Sequence, residues 1–337
     1  MSLDPITAEV VLSRLRETIS AMAHALFHSG YSPILRESQD GTAGLTDSGG
    51  RVIMVGGGLQ YHSLLYSQAV AGILKFYPAA EMRDGDSYIS NDPYKVGNSH
   101  VPDMVVATPS FYDGKIVGFG VSVAHKADVG GLVPGSSGAA SREIFHDGIL
   151  LPPVRFATKD GISREVEAIL RNNSRVPDVV LGDLRGQVGA TRLGATRLQE
   201  LLGEYGADTV LETIAELLSR TTNRVRREIA AWPDGTFEAE GFLDHDGNDR
   251  SKPVRIHVTA TKKGDRLILD YGGTDGQAAG PVNTPWATAR AVSMQAVLAA
   301  SDPTIPMNSG AFDAIEFVVP PGRIVSPQFP ATVNHYF

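Results

Sequence analysis

Residues 90–131, SNDPYKVGNSHVPDMVVATPSFYDGKIVGFGVSVAHKADVGG, place His100, Asp103 and His125 at the two ends of a long apolar run. Tyr112-Asp113-Gly114 supplies the residues that hairpin turns prefer, so the run reads as two strands, about 103–110 and 115–124. Antiparallel pairing mirrors positions about the turn, which brings residue 100 roughly opposite residue 125. Asp103, three residues on from His100, can curl toward the same point. Singly, each residue reads as an ordinary turn or surface side chain. Together, two imidazoles and a carboxylate converging from loop ends describe an open divalent-metal site of the Lewis-acid kind.

No cysteine occurs, so a metal must be held by His, Asp and Glu, and a thiol nucleophile is ruled out. His62, His146 and Asp128 sit beside Gly-rich or loop segments and form the surroundings of such a site, while His24, His28 and His257 fall in packing positions. The clusters Gly56-Gly57-Gly58 and Gly130-Gly131 lack the strand-to-helix setting of a dinucleotide fingerprint. There is no G-x-x-x-x-G-K-[ST] and no G-x-S-x-G, so neither a nucleotide site of this chain's own nor a serine-hydrolase elbow is expected.

The elements that must position these residues follow from periodicity. Residues 5–29 predict an amphipathic helix. GYSPILRESQDGTAGLTDSGGRVIM predicts strand, turn, strand with SGG as the reversal, leaving Glu37 and Asp40 on or just beyond a strand end. A second helix is expected over 62–76. The Gly-, Ser- and Pro-rich stretch from Gly130 to Pro153 predicts a long ordered loop, a candidate active-site cover. From about 165 to 232 the period is helical and suggests a helical pair. After Pro233 strands return, with KKGD as a turn and a further helix within 280–300. The order implies an α+β fold: a strand-rich part over 1–160 carrying the metal, a helical segment over 161–232, and a second strand-rich part over 233–337.

The chain has 337 residues, of which 42% are hydrophobic and 20% charged, with a formal net charge of -8 and no block of like charge. Nucleic acid is not an expected partner. No window approaches the length that spans a bilayer and the N-terminus has no signal pattern, so a cytoplasmic, non-membrane protein is expected.

The blocks themselves resemble the hydantoinase B/oxoprolinase family. SPILRESQDGTAGLTD, SNDPY--G-SH-PD, AH-AD-GG--PGS, DGILLPPV, GDLRGQVGA, DYGGTDGQAAGPVN and DPTIP-NSGAF stand in the family's order. Members continue past FPATVNHYF, so the resemblance implies a C-terminal part truncated relative to the family. It implies a divalent metal (Zn, Mn or Fe) on His100, Asp103 and His125, with Glu37 of the R-E-S-Q-D block as fourth ligand. Asp40, Asp92 or Asp128 would accept a proton or anchor a metal-bound histidine. It also implies a hetero-oligomer in which an A-type subunit uses ATP to activate a cyclic amide (a hydantoin, oxoproline or a lactam) that this B-type subunit then hydrolyses. Alternatives are a subunit of an acetone- or acetophenone-type carboxylase, and a non-catalytic scaffold with a structural metal. His125-Lys126 departs from the family's usual His-His, as does IFHDG at 144–148; both bear on substrate identity.

Overall fold

The computed structural model describes residues 3–334. Its elements in chain order are α1 (Pro5–His28), α2 (Pro33–Arg36), β1 (Gly41–Asp47), β2 (Val52–Gly57), α3 (Ser63–Phe76), β3 (Ser87–Ser90), β4 (Asp103–Tyr112) and β5 (Lys115–His125). They continue with β6 (Val154–Thr158), β7 (Gly161–Ile162), α4 (Arg164–Asn172), α5 (Pro177–Tyr205), α6 (Ala207–Ala230), β8 (Gly235–Leu243), β9 (Val254–Lys263), β10 (Arg266–Asp270), α7 (Trp286–Ala300), α8 (Ser309–Phe312) and β11 (Ile315–Val318). The fold is α+β. Residues 335–337, the end of FPATVNHYF, lie outside the described residues.

A seven-stranded sheet runs β2-β1-β5-β4-β3-β6-β7, and a four-stranded sheet runs β11-β10-β9-β8. In the larger sheet β4 and β5 are almost wholly buried, because helices cover both faces. Leu45, Ala43 and Ala124 pack with Leu15, Ile19 and Met22 of α1 and Leu198 of α5. Val105, Val121 and Val123 pack on the other side with Leu65, Val70 and Ile73 of α3 and Ala287 of α7. Burying each such aliphatic side chain contributes about 1.5–3 kcal/mol, which anchors the hairpin between the two helical layers.

The helical segment is three helices rather than a pair, and it shares its core with the larger sheet. Met104 and Val106 of β4 pack under Leu181, Leu184 and Val188 of α5. Gln187 on α5 donates through Nε2 to the carbonyls of Met104 and Ser122, 2.9 and 3.2 Å away. The smaller sheet rests on Val225 and Ile229 of α6 and Met294 of α7.

The strand, turn, strand expected in GYSPILRESQDGTAGLTDSGGRVIM is β1, the SGG reversal and β2, with Asp40 just before β1; ahead of it Ser32 caps α2 by accepting from Leu35 N–H, Pro33 occupies its first turn, and Asp183 accepts the N–H groups of Tyr31 and Ser32. The hairpin register differs from expectation by three residues. Asp113 and Gly114, both at positive φ, make the two-residue turn, and a bulge between Ser110 and Phe111 then shifts the pairing so that Asp103, not His100, faces His125.

Gly120 is where α5 comes closest to β5: a Cβ there would lie 2.1 Å from the Thr191 carbonyl oxygen. Gly120→Ala is therefore expected to cost about 1–3 kcal/mol by forcing helix and strand apart, read as a lower unfolding midpoint; an unchanged midpoint would contradict this packing.

Candidate metal centre

Asp103 opens β4 and His125 closes β5, so their pairing across the ladder fixes both side chains at the mouth of the hairpin. His100 reaches them from the preceding turn, closed by Asp103 N–H on the His100 carbonyl at 3.2 Å. Asp103 Oδ1 lies 3.1 Å from His100 Nε2 and 3.2 Å from His125 Nδ1, and those two nitrogens are 3.2 Å apart. The three donor atoms form a nearly equilateral triangle.

The tautomer of His100 sharpens what the triangle means. Its Nδ1 faces the carbonyl oxygen of Asn334 at 3.2 Å, and a carbonyl can only accept, so Nδ1 carries the proton. In the neutral ring Nε2 is then a lone pair pointing at a carboxylate oxygen and a second imidazole. A proton on His125 Nδ1, a proton on His100 Nε2 itself, or a cation at the centre of the triangle would each relieve that arrangement. Burial opposes charge on His100, but the Asp103 carboxylate outweighs it and raises the His100 pKa above its ordinary value. Asp103 is buried too, yet His100, His125 and His62 hold its carboxyl well below the usual range.

The donor set fits a divalent metal. Ligand bonds of about 2.0–2.2 Å place neighbouring donors roughly 2.9–3.5 Å apart, the spacing found here. Among the described residues, His100, Asp103 and His125 are the group able to hold a metal ion.

Asp40, the residue before β1, is the next carboxylate. Its Oδ2 is 3.9 Å from His125 Nδ1, and burial followed by the negative charge of Asp103 raises its pKa. Exposure grows from Asp103 (1%) through His125 (17%) to Asp40 (31%), so the site opens on the Asp40 side. Glu37, expected as a ligand, sits at the C-cap of α2, exposed and outside the converging group. Asp92 accepts the N–H groups of Tyr94 and Lys95 and pairs with Lys95 Nζ at 2.8 Å. Asp128 accepts the N–H groups of Gly130, Gly135 and Arg175 and pairs with the Arg175 guanidinium at 2.8 Å. Both carboxylates are thus committed to holding loops. His146 accepts Arg142 N–H through Nδ1 in a 3-10 turn of the 130–153 loop. That loop reaches the centre through Asn334, whose side-chain amide donates to Ser136 while its own carbonyl receives His100.

Sequence reasoning missed three neighbours, Ser99, Asn334 and Lys126, and underrated a fourth, His62. Ser99 Oγ donates to Asp103 Oδ2, and its place beside His100 was the available signal. Asn334 is 234 residues from His100, with no local signal. His62, treated as surroundings, is fully buried with Nε2 3.6 Å from Asp103 Oδ2. Lys126 is fully buried, donates to the Ala124 carbonyl, and is lowered by burial to about 8.

An α+β scaffold that aims two histidines and one buried aspartate at a single point defines a class of protein: one built around a small polar centre at the mouth of a rigid hairpin. The sequence profile of the hydantoinase B/oxoprolinase family matches residues 4–337, and the chain belongs to that family. It is 34% identical over 98% of its length to a protein of Pseudomonas sp. (strain NS671) provisionally named as the B subunit of a D-/L-hydantoinase, and spans 58% of that relative. It is 30% identical to the beta subunit of the caprolactamase of Pseudomonas jessenii, over 73% of this chain and 42% of that one. The crystal structure of the ATP-dependent caprolactamase from P. jessenii superposes with a TM-score of 0.90 over 99% of this chain and 57% of that chain, at 26% identity. Acetone carboxylase, 19% identical, shares the fold with a TM-score of 0.89 over 98% of this chain and 45% of that chain. No helix among the described residues is long and apolar enough to cross a membrane.

Because the His100 proton must leave before Nε2 can bind a metal, Zn2+ affinity should fall as pH drops, by about tenfold per unit once His100 is protonated, with the break above the ordinary imidazole value of about 6.5. Titration with Zn2+ between pH 5.5 and 8.5 checks this; a pH-independent affinity would contradict it.

Proposed function

We propose that this chain is the metal-containing B-type subunit of an ATP-dependent hydrolase that opens a cyclic amide (a hydantoin, oxoproline or lactam) after an A-type subunit has activated it with ATP. The observation that carries the reading is the 3.1–3.2 Å convergence of three metal-ligating atoms, from His100, Asp103 and His125, on one point. Family membership and the names of relatives as subunits of hydantoinase and caprolactamase support the substrate class.

His100 Nε2, Asp103 Oδ1 and His125 Nδ1 would hold the ion, and Asp40 completes the set in place of Glu37. Burial first, and then the repulsion between two carboxylates facing one point, raises the Asp40 pKa; a dication would turn that repulsion into attraction. Bound there, a divalent metal supplies Lewis acidity and a water of lowered pKa. The protein's own part is positional. Asn334 fixes the His100 tautomer, Ser99 restrains Asp103, and burial of Asp103 excludes water from the inner side, so reactants enter past Asp40 and His125. Asp92 and Asp128 keep the flanking loops in place rather than moving protons.

The same centre could serve a carboxylase, as one relative is the delta subunit of an acetophenone carboxylase, 26% identical over 86% of this chain and 42% of that one. Reconstitution with the A-type subunit separates the two: hydantoin- or lactam-dependent ATP turnover without bicarbonate is expected, whereas turnover requiring bicarbonate and a ketone would favour carboxylation. In the same complex His100→Ala should abolish bound metal and lower turnover by at least about a hundredfold. Full activity with metal retained would overturn the proposal.

A further inference from the structure

His62 is the least explained side chain near the centre. It is 0% exposed, and neither ring nitrogen has a hydrogen-bond partner among the described residues. A buried imidazole left that way is unusual, since native structures pair almost all such groups. The backbone gives it no freedom to leave: His62 ends a 3-10 turn (Gln60–His62), its N–H bonds the Leu59 carbonyl at 3.1 Å, and it is the N-cap of α3. Its ring stands edge-on to Tyr61, 4.5 Å between centroids. The polar atom within ion-pair reach is Asp103 Oδ2, 3.6 Å from Nε2.

We propose that His62 is a positioning residue for Asp103: its Nε2–H donates to Oδ2 when a metal occupies the centre, so that Oδ1 alone is offered to the ion. This inference rests on the metal reading of the site. The two oxygens of Asp103 already have different company. Oδ1 faces His100 and His125, whereas Oδ2 receives Ser99 Oγ and is approached by His62. A carboxylate free to swing could bind an ion through either oxygen or both. Two donors on Oδ2, from separate segments of the chain, remove that freedom, the usual role of groups that hydrogen-bond a ligating side chain from behind. The 3.6 Å gap is a few tenths of an ångström beyond a hydrogen bond, within reach of a small turn of the carboxylate as Oδ1 is drawn toward a cation. The tautomer follows: His62 must carry its proton on Nε2, leaving Nδ1 as the lone pair.

The test is Zn2+ affinity by competition with a chromophoric chelator, using the whole chain as wild type, His62→Leu, His62→Gln and His100→Ala. His62→Leu should weaken Zn2+ binding by about 10–100-fold. His62→Gln, which keeps an N–H, should recover most of that loss. The melting temperature of metal-free His62→Leu should not fall, because the substitution removes an unpaired buried polar group. Wild-type affinity in His62→Leu would overturn the positioning role while leaving the metal site standing. Equal affinity of wild type and His100→Ala would instead defeat the metal reading itself. If His62→Leu does not fold, the wild type still decides the matter: adding Zn2+ should move the imidazole N–H proton resonance of His62 downfield, and an unmoved signal would overturn the proposal.

Discussion

The structure turns on one carboxylate. Asp103 is 1% exposed and lies beside three imidazoles, two on one oxygen and one near the other. An isolated carboxylate at that depth would be costly, and only compensating positive charge makes the burial tolerable. Asp103 in turn raises the His100 pKa, which favours positive charge on that imidazole. The neighbours of Asp103 answer the same need: the imidazoles of His100, His125 and His62 around it and the Ser99 hydroxyl donating to Oδ2.

Such a site requires a scaffold that does not yield. The hairpin provides it, because β4 and β5 are covered on both faces and tied to α5 through Gln187. Asp103 and His125 are directly paired residues of one ladder, so their side chains cannot drift independently. His100 and Asp40 come from chain just outside the strands. The centre is thus anchored at two points by the sheet and adjusted at two by turns. Rigid support with adjustable entry suits a reaction in which an activated substrate must arrive from elsewhere.

Much of this was legible in the sequence. Strand-like runs about a strong turn gave the hairpin, and the position of His100, Asp103 and His125 at its open end gave the cluster. The register was not legible: the turn at Asp113-Gly114 and the one-residue bulge near Ser110 together set Asp103, rather than His100, opposite His125. The helix at Pro33–Arg36 was hidden because Ser32 and Asp183, 151 residues apart, cooperate to start it. Glu37 was assigned as a ligand by analogy of its block, whereas the short helix leaves it facing solvent and delivers Asp40 to the site. Asn334 was beyond reach for the same reason: its relation to the centre exists only once separate segments have folded onto one another, whereas His62 was placed in the surroundings and only its contact with Asp103 was hidden.

The chain belongs to the hydantoinase B/oxoprolinase family and shares its fold with an ATP-dependent caprolactamase. The chain spans only 58% of its hydantoinase-named relative, and what it contains on its own is a complete inner ring of candidate ligands. X-ray absorption at the zinc edge of protein loaded with one equivalent of Zn2+ examines that ring most directly. The account predicts a shell of nitrogen and oxygen donors at about 2.0–2.2 Å with the outer-shell scattering of two imidazoles. A fully hydrated ion, or a shell with no imidazole signature, would contradict it.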